Sequence, residues 1–271
     1  MKYSSRFLTI SLVTLVAACA MSQTRVQAAS ATTAAPDTAE NKLIAKVYKA
    51  TGLLFGQQVD GTMKMACTVT AFERNAKDHE VYLFATAAHC LATDDKEHEK
   101  VELEAKNYFI TFDEPGSKNY YEAKILAAGY QSRGDDFAVL EVRLPHLDIA
   151  VVPLAKQEAT LGEPLINIAS PGGYGKQLFT GHISSTKLDR PVMVEDINWK
   201  NALLIQMSSG GGSSGSSLVS VTQEGIVAFL VGHMSTSGVA TVVAIPASRF
   251  QKFWGAAKDG KYKWFKPESK D

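Results

Sequence analysis

The sequence predicts an all-β protein, either a barrel or a sandwich. Short runs rich in valine, isoleucine, leucine, phenylalanine and tyrosine recur at residues 67–72, 81–85, 108–112, 121–127, 137–142, 164–168, 176–184, 202–207, 218–221, 226–231 and 238–245. Turns separate these eleven segments, and the long helical periods that would form βαβ units are missing. The chain has 271 residues, of which 45% are hydrophobic, so it can bury a full core as one large domain or two small ones.

A helical pattern is clear only after the last of these runs. Ser248 is the expected cap of this helix, and Asp259-Gly260 is its expected stop. The apolar residues on one face of the helix are Phe250, Phe253, Trp254 and Ala257. Helical spacing also occurs before the first strands, at Leu43, Ile44, Val47 and Tyr48. We therefore assign residues 43–257 to the folded domain.

Residues 1–28 have the pattern of a secretory signal peptide. Lys2 and Arg6 precede an uncharged apolar run of about 12 residues, which is shorter than the roughly 20 residues of a membrane-spanning helix. Val16-Ala-Ala-Cys19 resembles the lipobox of bacterial lipoproteins, in which the cysteine is lipidated, whereas Val26-Gln-Ala28 fits ordinary signal cleavage. The lipobox is the favoured interpretation. We expect an exported protein, either a periplasmic or outer-membrane lipoprotein anchored through Cys19 or, alternatively, a secreted protein.

A predicted tether and a tail flank the domain. Residues 29–42 are mostly small and polar, which is typical of a disordered segment. In the tail, residues 258–271, basic and aromatic residues alternate; a frayed or packed terminus is favoured over contact with an anionic envelope surface. Lys plus Arg and Asp plus Glu both number 28, so the overall charge gives no indication of a nucleic-acid partner.

The most unusual stretch is the Gly/Ser run, residues 208–217, which contains only glycine and serine. This composition is typical of a flexible linker. The run is entered from one strand-like segment, 202–207, and left through another, 218–221, and a glycine-rich turn between strands can present a serine. The choice between these interpretations depends on whether the rest of the chain supplies partners for one of the serines.

His89 is the candidate base among the six histidines of the chain. It follows a small-residue strand end and adjoins Cys90. The other histidines are expected to be solvated, at His79, His98 and His146, or to be structural or pocket residues in strands, at His182 and His233.

The cysteines predict one disulfide, between Cys67 and Cys90. Cys19 leaves the count by acylation or by removal with the signal peptide, so only these two cysteines remain. An exported chain with two cysteines is expected to join them. Such a bridge would fix the loop that carries His89.

Asp136 is the candidate carboxylate. An acid at the head of a strand is often only a turn residue. Asp136 directly precedes the apolar run that begins at Phe137 and would be drawn inside with it, so it is preferred to Asp135. A serine hydroxyl becomes an effective nucleophile when an imidazole takes its proton, and a buried carboxylate fixes the imidazole tautomer and stabilises its charged form. Backbone N–H groups of a glycine turn can hold the oxyanion.

Three motifs resemble the signatures of trypsin-like serine peptidases of the chymotrypsin fold. In chain order they are Thr86-Ala-Ala-His-Cys90, Asp136-Phe-Ala-Val-Leu140 and Gly212-Ser-Ser-Gly-Ser-Ser-Leu218. Residues 166–173, 179–184 and 242–246 are similar to bacterial secreted and periplasmic members, such as the high-temperature-requirement peptidases and the glutamyl endopeptidases. The resemblance covers residues 43–257.

The resemblance implies two six-stranded antiparallel β-barrels with a C-terminal helix and a catalytic cleft between the barrels. It makes His89 the general base, Asp136 the residue that orients it and Ser214 the nucleophile. The N–H groups of Gly212 and Ser214 are then the oxyanion donors. The implied function is a serine endopeptidase that acts on proteins or peptides through an acyl-enzyme, without a metal or cofactor.

Two positions depart from the family pattern. Ser213 stands where relatives usually have Asp, Asn or Thr, and Ser217 stands where they usually have Pro. Ser213 cannot form the ion pair by which a newly cut N-terminus activates trypsin-type zymogens. We therefore expect the oxyanion turn, which is the part of the Gly/Ser run that carries Gly212 and Ser214, to form without activation cleavage or not always to be formed. The alternative function is a catalytically silent protein that binds envelope partners.

Specificity is only weakly predicted. With gapless spacing, Ser208 lies at the base of the primary pocket, which is then small and neutral and has no acid to select Lys or Arg. His233 could meet an acidic side chain, as a histidine does in the glutamyl endopeptidases, although packing or solvent exposure is favoured. The charged loop at 94–100 matches no metal-ligand spacing and is expected to be solvated surface.

Overall fold

The computed structural model describes residues 37–95, 100–112, 119–131, 134–186, 192–194, 197–199, 201–236 and 239–261. The predicted signal peptide with Cys19, most of the predicted tether, the centre of the charged loop and the tail beyond Lys261 lie outside these residues.

The described part of the chain contains two α-helices and sixteen strands, with short 3-10 helices between some of them. The α-helices are α1 (Ala39–Ala50) and α2 (Ala247–Lys258). The first eight strands are β1 (Thr51–Gln57), β2 (Met63–Arg74), β3 (Val81–Thr86), β4 (Ala92–Asp95), β5 (Lys100–Leu103), β6 (Asn107–Thr111), β7 (Tyr121–Ala128) and β8 (Ala138–Arg143). The others are β9 (Pro164–Ala169), β10 (Gln177–Ser185), β11 (Val192–Val194), β12 (Ile197–Trp199), β13 (Leu203–Gln206), β14 (Ser217–Ser220), β15 (Gly225–Thr236) and β16 (Val239–Pro246).

The strands form two closed antiparallel barrels of six strands each. The first has the strand order β1-β2-β3-β8-β7-β6, and the second has the order β10-β13-β16-β15-β14-β9. The hairpins β4–β5 and β11–β12 lie outside the barrels. Because each barrel closes on itself, neither has an unpaired edge strand. The predicted pair of six-stranded barrels followed by a C-terminal helix is confirmed.

The strands that the sequence patterns miss are interrupted by glycine or are very short. In β1, Gly52 and Gly56 break the apolar pattern. Gly52 is required by packing, because a Cβ atom there would lie 2.7 Å from Cγ2 of Ile110 on β6. The strands β4, β5, β11 and β12 have only three or four residues each, too few for alternation to be visible.

Both helices begin at positions other than those expected. α1 starts at Ala39 instead of Leu43, because the hydroxyl oxygen of Thr38 caps it by accepting a hydrogen bond from the amide of Asn41 at 3.1 Å. Ser248 is not the cap of α2: β16 runs into the helix directly, and Pro246 precedes the first turn. Neither of these two described helices is long and apolar enough to cross a membrane.

An aromatic cluster joins the two barrels through α2. The ring of Phe250 on α2 lies 5.2 Å from Phe72 and 5.4 Å from Phe137, both of the first barrel, and 4.7 Å from Phe229 of the second. Phe137, Phe229 and Phe250 are fully buried. Aromatic rings at these centroid distances add to the stabilisation that burial provides. The cluster thereby fixes Phe137, the residue after Asp136.

Candidate active site

His89 and Asp136 are joined by two hydrogen bonds. Nδ1 of His89 lies 2.6 Å from Oδ2 of Asp136, and the backbone amide of His89 donates to Oδ1 at 2.8 Å. Asp136 is completely buried, whereas 24% of the His89 side chain is exposed. A carboxylate in this position favours the tautomer that carries its proton on Nδ1, which leaves the lone pair on Nε2. The imidazole of His89 can therefore act as a base through Nε2.

The neighbouring carboxylate, Asp135, has a different partner. The guanidinium of Arg249 on α2 contacts Oδ1 of Asp135 from Nε at 2.9 Å and from Nη2 at 2.8 Å. The carbonyl of Phe137 accepts a hydrogen bond from the amide of Gly129 at 2.7 Å. These contacts hold the segment on both sides of Asp136. The structure thus brings Asp136, and not Asp135, to His89.

The disulfide between Cys67 and Cys90 is present and links β2 to the 3-10 turn Ala88–Cys90 that carries His89. These two sulfurs and a ring nitrogen of His89 lie within 4.8 Å of one another and, within the described residues, form the one cluster with the composition of a metal site. Each sulfur is bonded to the other, so neither is available as the thiolate that binds zinc. The prediction that no metal takes part remains a prediction.

The Gly/Ser run forms a hydrogen-bonded turn and is not a linker. The amide of Ser213 donates to the carbonyl of Gly210 at 3.0 Å, and the amide of Gly215 donates to the carbonyl of Leu230 on β15 at 2.8 Å. Gly215 has φ +79°, and a Cβ atom there would lie 2.2 Å from Oγ1 of Thr86. Glycine is required at this position for both reasons.

Two backbone amides in this turn are available to a ligand. The carbonyl of Gly211 accepts a hydrogen bond from the amide of Gly172 at 2.7 Å. Because the chain has no cis peptide among its described residues, the Gly212 N–H of the same peptide unit points the opposite way. In the described part of the chain, neither Gly212 N–H nor Ser214 N–H donates a hydrogen bond to another residue. Two adjacent donors of this kind can stabilise an oxyanion.

His89, Gly212 and Ser214 line one cavity of about 300 Å³. The disulfide and Met65 contribute an apolar part of its wall, and polar groups come from the first barrel. The complete lining is Gly56, Gln58, Lys64, Met65, Ala66, Cys67, His89, Cys90, Glu104, Ala105, Tyr108, Gly212 and Ser214. A larger cavity, of about 440 Å³, lies beside Trp254 on α2 and contains none of the predicted site residues.

Three further residues of this wall, Lys64, Glu104 and Tyr108, carry no sequence signal of their own. Tyr108 is an example: its hydroxyl donates to the carbonyl of Leu91 and accepts from the amide of Ala105 at 3.2 Å. Burial raises the pKa of Tyr108 above its ordinary value, so the phenol stays protonated. Lys64 on β2, Glu104 after β5 and Tyr108 on β6 meet Ser214 at this cavity only in the folded chain.

The two residues predicted for the specificity pocket do not line this cavity. Ser208 is exposed just after β13, and His233 is exposed on β15. The structure therefore brings His89, Asp136, Gly212 and Ser214 to one place and leaves Ser208 and His233 outside it.

The sequence profile of the family described as the trypsin-like peptidase domain matches residues 70–228. This match covers more than half of the chain and includes His89, Asp136 and Ser214. The protein belongs to the trypsin-like peptidase family. No curated protein sequence matches the chain.

Two solved structures are similar to the described fold. One is a serine endoprotease from Yersinia pestis, with 18% sequence identity and a TM-score of 0.57; the match covers 82% of this chain and 68% of the other. The second is Rv3671c from M. tuberculosis H37Rv, in an inactive mutant form, with 14% sequence identity and a TM-score of 0.58. The match covers 84% of this chain and 96% of the other. At these identities the likeness concerns the fold.

Replacing Gly215 by alanine should destabilise the protein more than the same change at Gly61. Both glycines have positive φ, +79° and +83°, but a Cβ atom meets nothing within 4 Å at Gly61. We expect a loss of about 1–2 kcal/mol in Gly61→Ala from backbone strain alone. In Gly215→Ala a further ~1–3 kcal/mol should be lost to overpacking. Urea unfolding measures both, and equal losses would contradict a tightly packed turn.

Proposed function

We propose that this member of the trypsin-like peptidase family is an exported serine endopeptidase that hydrolyses peptide bonds through an acyl-enzyme at Ser214. The observation that carries the proposal is that His89, hydrogen-bonded to the buried Asp136, lines the same cavity as Ser214 and Gly212. A base, its orienting acid, a hydroxyl and oxyanion donors are the groups that acyl transfer requires.

In the first half-reaction, Oγ of Ser214 attacks the carbonyl carbon of the scissile bond while Nε2 of His89 accepts the hydroxyl proton. Asp136 holds the Nδ1–H and stabilises the imidazolium that forms. The negative oxygen of the tetrahedral intermediate accepts hydrogen bonds from the amides of Gly212 and Ser214. His89 then gives its proton to the leaving nitrogen, the C–N bond breaks, and the acyl group remains on Ser214.

In the second half-reaction, water replaces the amine. Nε2 of His89 takes a proton from the water as its oxygen attacks the ester carbon, and the same proton returns to Oγ of Ser214 when the acid leaves. Since His89 must reach the leaving nitrogen, the part of the substrate after the scissile bond lies on the side of the cavity formed by the disulfide and the first barrel.

The alternative function is a catalytically silent protein that binds envelope partners. The observation in its favour is that Ser213, which is fully buried, and Ser217 replace the residues usual in the family. The two functions differ in one measurable property, because only the enzyme has an activated serine.

A fluorophosphonate probe should label the protein at Ser214 and should not label Ser214→Ala. Asp136→Asn should retain the fold but react about 10³–10⁴-fold more slowly, because the amide stabilises the wrong imidazole tautomer. Labelling is followed by gel fluorescence, and the site is identified by mass spectrometry. Labelling that persists in Ser214→Ala would contradict Ser214 as the nucleophile, and an unsubstituted protein that does not react would support the silent alternative.

We also propose that the protein is exported and carries a lipid on Cys19. The support is the short apolar run at residues 7–18 followed by a lipobox-like motif. Mass spectrometry of the mature N-terminus should find an acylated Cys19, and Cys19→Ser should release the protein from membranes. An unmodified N-terminus at Ala29 would support ordinary cleavage instead.

A further inference from the structure

The oxyanion turn has no charged residue that could hold it. Ser213, directly before the proposed nucleophile, is fully buried. Its hydrogen bonds are local: its amide donates to the carbonyl of Gly210 at 3.0 Å, its carbonyl accepts from the amide of Ser216 at 3.1 Å, and its hydroxyl oxygen accepts from the amide of Gly210 at 3.4 Å. The contacts that fix this turn relative to His89 must therefore come from other residues.

Thr68 on β2 makes those contacts. Its hydroxyl donates to the carbonyl of Gly212 at 2.8 Å, and its amide donates to the carbonyl of Ser214 at 3.0 Å. Thr68 thus binds the carbonyls on both sides of Ser213. It is completely buried and does not line the cavity.

The hydroxyl of Thr68 is itself held in one orientation. Its oxygen accepts a hydrogen bond from the amide of Ser170 at 3.1 Å, so the single hydroxyl proton is directed to Gly212. The carbonyl of Thr68 accepts a hydrogen bond from the hydroxyl of Thr86 at 3.0 Å. The preceding residue, Cys67, is fixed by the disulfide to Cys90.

These bonds determine the direction of the oxyanion donors. The amide of Gly172 fixes the peptide plane between Gly211 and Gly212, and the hydroxyl of Thr68 fixes the next plane. Gly212 lies between these planes with φ +94°. Glycine alone would allow this residue many other conformations, because it has no Cβ atom to restrict it. Two fixed planes leave the Gly212 N–H with one direction.

We propose that Thr68 is a positioning residue for catalysis: its hydroxyl holds the oxyanion turn in the active conformation by neutral hydrogen bonds, without a charged partner at position 213. This proposal rests on the proposed function, since it assigns the group that preorganises the donors of that reaction. Thr68 acts through Gly212 and Ser214 and does not contact the substrate.

The test compares variants that differ by the hydroxyl alone. Thr68→Val keeps the shape of the side chain and removes the hydroxyl. If valine prevents folding, Thr68→Ala and Thr68→Ser are compared instead, because these two variants also differ by one hydroxyl. Thr51→Val is the matched control, because the hydroxyl of Thr51 is also fully buried and also donates to a backbone carbonyl, that of Val47 at 2.8 Å. Among the described residues, no hydrogen bond joins Thr51 to the turn.

We expect the inactivation rate constant of the fluorophosphonate probe to fall about 10- to 100-fold in Thr68→Val, with the probe's binding constant little changed. This is less than the roughly 10²–10³-fold loss that removal of an oxyanion donor causes, because both donors remain and only their orientation is released. Thr68→Ser should react within about threefold of the unsubstituted protein, since it keeps the hydrogen bond. Thr51→Val should lose stability but keep its labelling rate. A folded Thr68→Val that reacts at the unsubstituted rate, or a Thr51→Val that slows as much, would overturn the proposal.

Amide hydrogen exchange separates this proposal from the proposed function. Thr68→Val should accelerate exchange in the peptide that covers residues 208–217, and Thr51→Val should not. If the unsubstituted protein fails to label, the proposed function and its catalytic consequence are wrong, but faster exchange in Thr68→Val alone still supports Thr68 as the residue that holds the turn. Exchange that is equal in all variants contradicts it, whatever the labelling result.

Discussion

The hydrogen bonds of Thr68 connect the two barrels at the point where the chemistry would occur. Thr68 belongs to the first barrel and the Gly/Ser turn to the second, so the position of the oxyanion donors depends on how the barrels meet. The disulfide from Cys67 to Cys90 adds His89 to the same unit. The base and the turn are therefore placed by two adjacent residues of β2.

The segment that carries Asp136 is held by α2. Arg249 holds Asp135, and the ring of Phe250 packs against Phe137, so this helix contacts the residues before and after Asp136. The helix at the end of the domain thus completes a site whose proposed base, His89, and proposed nucleophile, Ser214, come earlier in the chain.

The sequence was sufficient to predict the motif residues and the fold class, because each motif is local. His89 beside Cys90, Asp136 before an apolar run and the Gly/Ser run between strands are patterns within a few residues. The role of Thr68 was not predictable in this way, since Gly212 lies more than a hundred residues away and a threonine in a strand carries no signal. The cavity wall of Lys64, Glu104 and Tyr108 was missed for the same reason. The start of α1 was misplaced because residues 39–42 show no apolar periodicity, and the capping residue Thr38 stands in a segment of low complexity.

The central claim is that neutral hydrogen bonds hold the oxyanion turn in a conformation that can receive a negative oxygen. A crystal structure of the phosphonylated protein tests this claim most directly. The account predicts that a phosphonyl oxygen lies about 2.7–3.1 Å from the amides of both Gly212 and Ser214, with the hydroxyl of Thr68 still bound to the carbonyl of Gly212. A rotated peptide at Gly212, with its N–H directed away from the phosphonyl oxygen, would contradict the account.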